Sequence, residues 1–584
     1  LHSKKIGYQG LLYRKASKDI QTYIANEKRK HILVGFNALN NAEQIIFQSL
    51  LDANIAKIYW DADQFFINNN YHEASLFLRT YKEQWDYYKN HSFEWIRNNF
   101  SLEKNISMIG VPRNVGQAKS VAHILSSIPK GAIEKTALVM ADENLLQPVL
   151  NAIPNTVESL NITMGLPLKE VPLATFFELL FELHKNINSD KLYYKSILEI
   201  LNNRATYKLI GNSAFLLANT IARENMVYVS PEKLQDLVTS EQHKKILYLL
   251  FSPWKNATYA LEQCRTIIFT LKNILNKEKD TLELEHLYHF HVVFNKVSSL
   301  QKEYEYLTTT ISLYTLYKDI LLKETLDFSG EPFNGLQLMG MLESRCLDFD
   351  TVIITSVNEG ILPAGKSMNS FIPYDLKRAY NLPTYKEKDA IYTYHFYRLI
   401  QRAKNVYLIY NTENEGVGGG EKSRFLLQLD IDKRPKHTLN SYIVSTNVRQ
   451  ITDQKLQINK NEEVIKQLKK LGNNGLSPSA LTTYIRYPID FYYNYLIGIK
   501  ATDEVEETIA ANTLGTVIHN TLEEFYKPLE NKFLTLEDTT RMRKEIDSQL
   551  KNQFQQEYAK LNITNGKNLL IFEVAKQYIR NFLS

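Results

Sequence analysis

The 584-residue sequence predicts an α/β protein built on parallel sheets, with a large helical insertion and a further helical unit after it. Three observations carry this expectation. Short apolar runs alternate with amphipathic stretches early in the chain. The stretch from about Phe176 to Leu326 has helical apolar spacing almost throughout. Strand-type runs then resume at Gly335.

Each element follows from its local pattern. His31 to Val34 reads as a buried strand, followed by a turn and a helix over Asn41 to Leu51. Ala56 to Trp60 reads as a second strand. The same rhythm returns in a strand at 106–110, a helix from Gln117 to Ser127 and a strand at 137–140. The runs at 351–355 and 406–410 are strongly apolar and need a sheet covered on both faces. One sheet shared by 106–190 and 335–435 satisfies both sets, leaving the helices between them as an insertion. Residues 411–475 are polar and linker-like, with EGVGGGEK as a flexible loop. A last helical unit begins at Ser477.

A chain of this length exceeds one core and predicts three or four domains. Hydrophobic content of 44% and charged content of 23% are those of a soluble globular protein. The longest apolar runs fall short of a membrane span, and no signal peptide follows Leu1. Cys264 and Cys346 leave no disulfide framework and no cysteine metal cluster, which suits a reducing cytoplasm. A net charge of +5 permits nucleic-acid binding without arguing for it. The 36 tyrosines accompany abundant Asn, Lys and Ile, so codon bias explains them better than base stacking.

The most informative stretch runs from Gly335 to Pro363, GLQLMGMLESRCLDFDTVIITSVNEGILP. Leu347, Asp348, Phe349 and Asp350 form an acidic-apolar run, Val352 to Ile354 an apolar strand, and Asn358-Glu359-Gly360 a loop. This resembles the fifth motif of superfamily-one DNA helicases, T-x-H-x-x-K-G-L-E-F-D followed by a buried strand. Gly340, Leu342, Arg345 and Cys346 replace its Thr, His, Lys and Gly. With those replacements the stretch resembles the AddB-like subunits of helicase–nuclease complexes of the RecBCD/AddAB type, in which a helicase fold persists without a motor.

The resemblance implies RecA-type parallel sheets with a large helical insertion, followed by a partial PD-(D/E)XK nuclease domain. It implies a partial first helicase-like domain over 1–105 and a second over 106–190 plus 335–435. A helical insertion then covers 191–334, a linker 436–475 and the first part of the nuclease domain 476–584. In the family, the first strand–turn–helix carries a magnesium-binding Asp and a water-activating Glu. In LVGFNALNNAEQ, Val34 and Gly35 stand there, so no ATP hydrolysis is expected. GILPAGKS at 360–367 fits the P-loop expression, but Pro363 lies inside it and a poor helix start follows, so the ATP reading is rejected. Tyr397 to Lys404 resembles the sixth motif, whose Arg reaches a nucleotide phosphate. Arg402 holds that position, where it serves either a phosphate or, as the favoured alternative, a local carboxylate. Arg345 and Arg402 are the candidate phosphate or DNA contacts. Asp61 and Asp63 are a weak metal-pair signal, read rather as a solvated strand end. Arg113, Lys119 and Lys130 are read as solvated surface before DNA contacts.

SPSALTTYIRYPIDFYYNYLIG, Ser477 to Gly498, resembles the opening of an AddB-type nuclease domain, S-x-S-x-L-x-x-Y-x-x-C-P-x-x-F. Tyr487 replaces the Cys, so no iron-sulfur cluster is expected. Leu514 to Glu523 resembles the family's G-x-x-x-H-x-x-L-E helix. His519 is the candidate metal residue there, with a structural histidine as the equal alternative. The family's later G-x-x-D-R-x-D and D/E-x-K strands do not occur between Glu524 and Ser584. No catalytic set is therefore complete, and the chain is expected to be cut at both ends.

The implied function is that of an AddB-like DNA exonuclease subunit processing double-strand breaks for recombinational repair in the cytoplasm. Mg²⁺ or Mn²⁺ is its expected cofactor. The expected partners are an AddA-like helicase subunit and single-stranded or broken double-stranded DNA, with no membrane. The alternative is a non-enzymatic, RecC-like DNA-binding scaffold that partners an active helicase. An active helicase is a third reading, opposed by Val34 and Gly35.

Overall fold

The apolar runs become strands, and the strands decide where everything else packs. The structure is a computed structural model. It describes residues 6–185, 191–304, 306–328, 334–364, 370–380, 382–413, 421–445, 456–499, 505–557 and 566–584. Most of the EGVGGGEK loop and the last three residues of the P-loop-like string, 365–367, lie outside the described residues. By internal contacts the chain forms two compact units, Leu1–Leu166 with Asp327–Arg449, and Pro167–Leu326 with Gln450–Ser584.

In the first unit, β1 (His31–Val34) pairs in parallel with β2 (Ala56–Tyr59) across the helix Asn41–Asp52. That helix opens with a capping box. The Asn40 side chain accepts from the Glu43 amide, and the Glu43 carboxylate accepts from the Asn40 amide, both at 2.9 Å. Leu51, Ile58 and Trp60 bury against Leu78, Tyr81 and Trp85 to make a local core.

The main sheet has seven strands: β3 (Lys104–Val111), β4 (Thr136–Met140), β5 (Leu160–Ile162), β6 (Leu336–Gly340), β7 (Thr351–Thr355), β8 (Asn405–Asn411) and β9 (His437–Ile443). Their order is β9-β3-β8-β7-β4-β6-β5, with every neighbouring pair parallel. The sheet therefore draws on chain before and after residues 167–326.

The two-residue period of a strand sorts the side chains onto two buried faces. Val352 and Ile354 point to the side covered by Phe396, Leu399, Ile400 and Phe425. Ile353 and Leu138 point to the side covered by Val121, Leu125 and Val149. The stretch 436–475, expected as a linker, contains the edge strand β9 and the helix Glu462–Asn473. An edge strand is mostly exposed and paired on one side only, so HTLNSYI carries no apolar run to announce it.

The second unit is helical through Pro172–His184, Ala257–Glu278, Thr281–Glu303 and Thr310–Leu321. Aromatics fill it, with Phe177–Phe294 edge-to-face at 4.8 Å and Phe294–Tyr317 stacked at 5.3 Å between centroids. No helix among the described residues is long and apolar enough to cross a membrane.

Candidate functional site

The sixth-motif arginine lies in a charge cluster within the first unit. The helix Tyr385–Gln401 packs against the sheet and delivers Arg398 and Arg402 to the same carboxylates. Arg402 Nη2 and Nη1 donate to Asp61 Oδ1 and Oδ2 at 2.6 and 3.0 Å. Arg398 Nε reaches Asp61 Oδ2 at 2.7 Å, and both arginines reach Asp348 Oδ1, at 2.9 and 3.2 Å. Burial pushes the Asp61 carboxyl upward, but the hydrogen bond from Arg402 and the charges of both arginines outweigh it and hold it below its ordinary value. The Asp61 hydrogen bond in turn raises Arg402.

Asp61 and Asp63 are thus not a solvated strand end. Asp63 is buried and accepts from the amides of Phe65, Asn99 and Phe100 at 3.0, 2.8 and 3.0 Å. Three backbone donors and two guanidiniums draw these carboxylates inward, which a strand-end position does not reveal in sequence. Arg345 is exposed. Burial first, then the charges of Arg345 and Arg398, push the His395 imidazole down to about 4.

The first-motif positions offer no metal ligand. Val34 is exposed at the end of β1, and Gly35 takes φ +75. A Cβ on Gly35 would lie 2.5 Å from Cys346 Sγ, so a side chain there would displace that exposed thiol, and the left-handed φ favours glycine in any case. Beyond the carboxyl end of β7, Asn358 Nδ2 donates to Asn411 O at 2.8 Å, and Asn358 Oδ1 accepts from Asn411 N at 2.9 Å. Glu359 pairs with Arg424. Of the surface cations, Arg113 pairs with Glu413 at 2.6 Å and Lys130 with Glu158 at 2.7 Å, while Lys119 is exposed.

In the second unit, Ser477 caps the helix Pro478–Arg486 through the Ala480 amide at 3.2 Å, with Pro478 in the first turn. The helices Ala511–Tyr526, Leu536–Glu557 and Gly566–Phe582 share a core of Val517, Phe525, Ile546, Leu550, Phe572 and Ile579. The start of Ala511–Tyr526 is held by Glu506, whose carboxylate accepts from Ala510 N and Thr513 Oγ1, both at 3.0 Å. The Glu506 amide donates to Asn225 Oδ1 at 2.6 Å. Next to it, Glu507 takes Lys195 at 2.7 Å and Tyr193 at 2.5 Å, which hold its carboxyl down to about 2.

Because Val517, Thr521 and Phe525 face inward, His519 and Glu523 face solvent on the same side of the helix. Their Nδ1–Oε2 distance is 3.9 Å, and the His519 side chain is 78% exposed. Among the described residues no three His, Cys, Asp or Glu side chains are grouped to hold a metal ion. A Mg²⁺ or Mn²⁺ site needs several oxygen donors, and His519 with Glu523 offers only part of one. The two residues alone do not fit a hydrolytic metal.

A carboxylate partner for Arg402 is the favoured alternative from sequence, but Asp61 and Asp348 cannot be singled out there, since they lie far from it in the chain. Comparison with known families gives one match: the PD-(D/E)XK nuclease superfamily, over residues 475–582. That stretch is a PD-(D/E)XK nuclease domain, with His519 on the exposed side of its helix Ala511–Tyr526. No curated protein matches the chain.

Proposed function

We propose that this chain is an AddB-like subunit of a RecBCD/AddAB-type complex, a DNA exonuclease subunit that processes double-strand breaks for recombinational repair. The observation that carries the reading is the nuclease-superfamily match over 475–582, which spans the S-x-S and G-x-x-x-H strings at Ser477 and Gly515. The nuclease match also makes DNA the substrate class of choice. The helicase-like half of the proposal is supported by the parallel sheet, with LDFD leading into its buried strand β7, and by Arg402 at the sixth-motif position.

In this reading 1–105 and 106–190 plus 335–435 are the two helicase-like domains, 191–334 is their insertion, and 476–584 belongs to the nuclease. The site does not turn over ATP, because Val34 and Gly35 offer no carboxylate. Arg345, exposed, contacts phosphate or DNA. Arg402 would do so only by leaving Asp61 and Asp348. His519 would give at most one donor to a Mg²⁺ or Mn²⁺ site whose other donors are not grouped with it among the described residues, and no iron-sulfur cluster is built, since Tyr487 stands at its first cysteine position. An AddA-like helicase subunit supplies translocation, in the cytoplasm.

The test is cleavage of end-labelled single- and double-stranded DNA with Mg²⁺ or Mn²⁺ by the full-length protein, with and without the helicase partner. Metal-dependent shortening from an end supports the exonuclease. Tight DNA binding with no cleavage under any of these conditions would favour the RecC-like scaffold instead.

A further inference from the structure

In the first unit, an open recess of about 620 Å³ lies between the short helix Gln64–Asn68 and the loops around Asn98 and Arg434. Its lining is rich in carboxamides. Gln64, Asn68 and Asn98 bring carboxamides whose side chains make no hydrogen bond among the described residues, and no carboxylate lines the recess. Arg434 lies over the Phe65 ring, its guanidinium carbon 4.9 Å from the ring centre. Arg434 Nε is buried and has no hydrogen-bond partner. Tyr71, on the rim, is 97% exposed.

These features together point to a ligand. A buried guanidinium N–H without an acceptor costs free energy unless an anion or other acceptor completes it. A guanidinium fork with no competing carboxylate suits a phosphate. Carboxamides present paired donors and acceptors, the pattern that reads the edge of a nucleobase. A fully exposed tyrosine beside them is a stacking platform.

We propose that this recess binds one nucleotide unit of a single-stranded nucleic acid, with Arg434 on the phosphate, Tyr71 on the base face, and Gln64, Asn68 and Asn98 at the base edge. The choice of a strand over other phosphates rests on the nuclease reading above. The recess is formed apart from Arg345 and Arg402, so it adds a contact that the motifs did not supply.

The test is fluorescence anisotropy with labelled oligo-dA and oligo-dT on the intact protein and on Arg434→Gln and Tyr71→Ala. Each substitution is expected to weaken oligonucleotide binding by about tenfold, the scale of one stacked base or one phosphate contact. Arg434→Gln should also make the affinity less salt-dependent. Tyr71 touches too little to affect folding, so its variant separates lost binding from lost structure. Unchanged affinity in both variants overturns the site. Arg434-dependent binding of dAMP or inorganic phosphate without oligonucleotide binding also overturns it, in favour of a free-nucleotide pocket. Metal-dependent cleavage by the same variants is followed in parallel. If His519→Ala abolishes cleavage while both recess variants keep full affinity, the recess fails and the nuclease reading stands. If no variant or condition gives cleavage yet the recess variants lose affinity, the nuclease reading fails and the site stands.

Discussion

Arg402 and Asp61, from the far end of one helix and the loop after β2, share a two-point ion pair at 2.6 and 3.0 Å. Arg398 closes the same carboxylate at 2.7 Å. Asp61 is therefore a fastener between the early part of the chain and the helix that covers the main sheet. Asp61→Ala removes the carboxylate that two guanidiniums share, leaving them Asp348 and, for Arg398, Leu347 O, and should cost about 3 kcal/mol, measured by urea unfolding. The sign of its pH dependence follows from its lowered carboxyl. Its contribution is complete above the ordinary carboxylate value of 3.8 and is lost as the pH falls through the lower folded value. An Asp61→Ala variant as stable as the parent at neutral pH would remove Asp61 from this role.

The protein should release no phosphate from ATP above background, with or without DNA. Val34 and Gly35 lack the carboxylates that hold and activate, and the left-handed φ of +75 at Gly35 disfavours any side chain there. Phosphate release is the measurement. DNA-stimulated turnover at the rate of a working helicase, abolished by Arg402→Ala, would show that a nucleotide site has been overlooked.

The parts of the fold that were legible in sequence are those whose burial is continuous. A parallel strand covered on both faces must be apolar throughout, so 137–140, 351–355 and 406–410 stand out as runs, and each is a strand. Strand β9 escapes that logic because its edge position leaves most of its side chains in solvent. The helix bearing His519 is legible from Val517, Thr521 and Phe525, which share one face. The partners of Arg402 are not, because Asp61 and Asp348 come from other parts of the chain and carry no periodicity. The recess around Arg434 is illegible for the same reason: its carboxamides read as loop residues, and only the fold sets them around one guanidinium.

Lys104 supplies a second pH effect. The residue is 1% exposed, and its ammonium donates to Gln401 O and Ala403 O at 2.6 and 2.9 Å, closing the end of the helix Tyr385–Gln401. Burial pushes its pKa down to about 8 from 10.5. Between those values the unfolded chain holds a proton that the folded chain has released, so stability rises with pH over that window, by about 3 kcal/mol in full. Lys104→Met should be less stable at neutral pH, having left two carbonyls unmet, and should lose the rise. Denaturant unfolding at pH 7 to 10 reads both, and an identical pH profile in the two proteins would reject the assignment.

In the second unit, His184 is buried, stacks on Trp254 at 4.3 Å and bonds to Leu250 O at 2.8 Å. Burial pushes its pKa down to about 4 from 6.5. As the pH falls from 6.5 to 4 the unfolded chain takes up a proton that the folded chain refuses, so stability falls across that interval, by about 3 kcal/mol. His184→Phe should flatten that part of the curve while keeping the aromatic stack. Thermal melting as a function of pH checks it, and a fall of the same depth in the variant would place the acid sensitivity elsewhere.

The prediction that bears most directly on function concerns His519. Its side chain is largely exposed and lies 3.9 Å from Glu523, so His519→Ala should leave the melting temperature unchanged. If His519 belongs to the metal site of the nuclease domain, the same change should lower Mg²⁺- or Mn²⁺-dependent cleavage of labelled single-stranded DNA by on the order of 100-fold. Glu523→Gln should have a smaller effect if Glu523 only orients the imidazole, and a comparable one if it is itself a ligand. Varying the metal concentration separates these cases, because a lost ligand raises the metal needed for half-maximal cleavage whereas a lost orienting contact lowers the plateau. Cleavage by His519→Ala equal to that of the parent at every metal concentration would make His519 an ordinary surface residue of the helix, and the metal donors would then have to be sought on other elements of the nuclease domain.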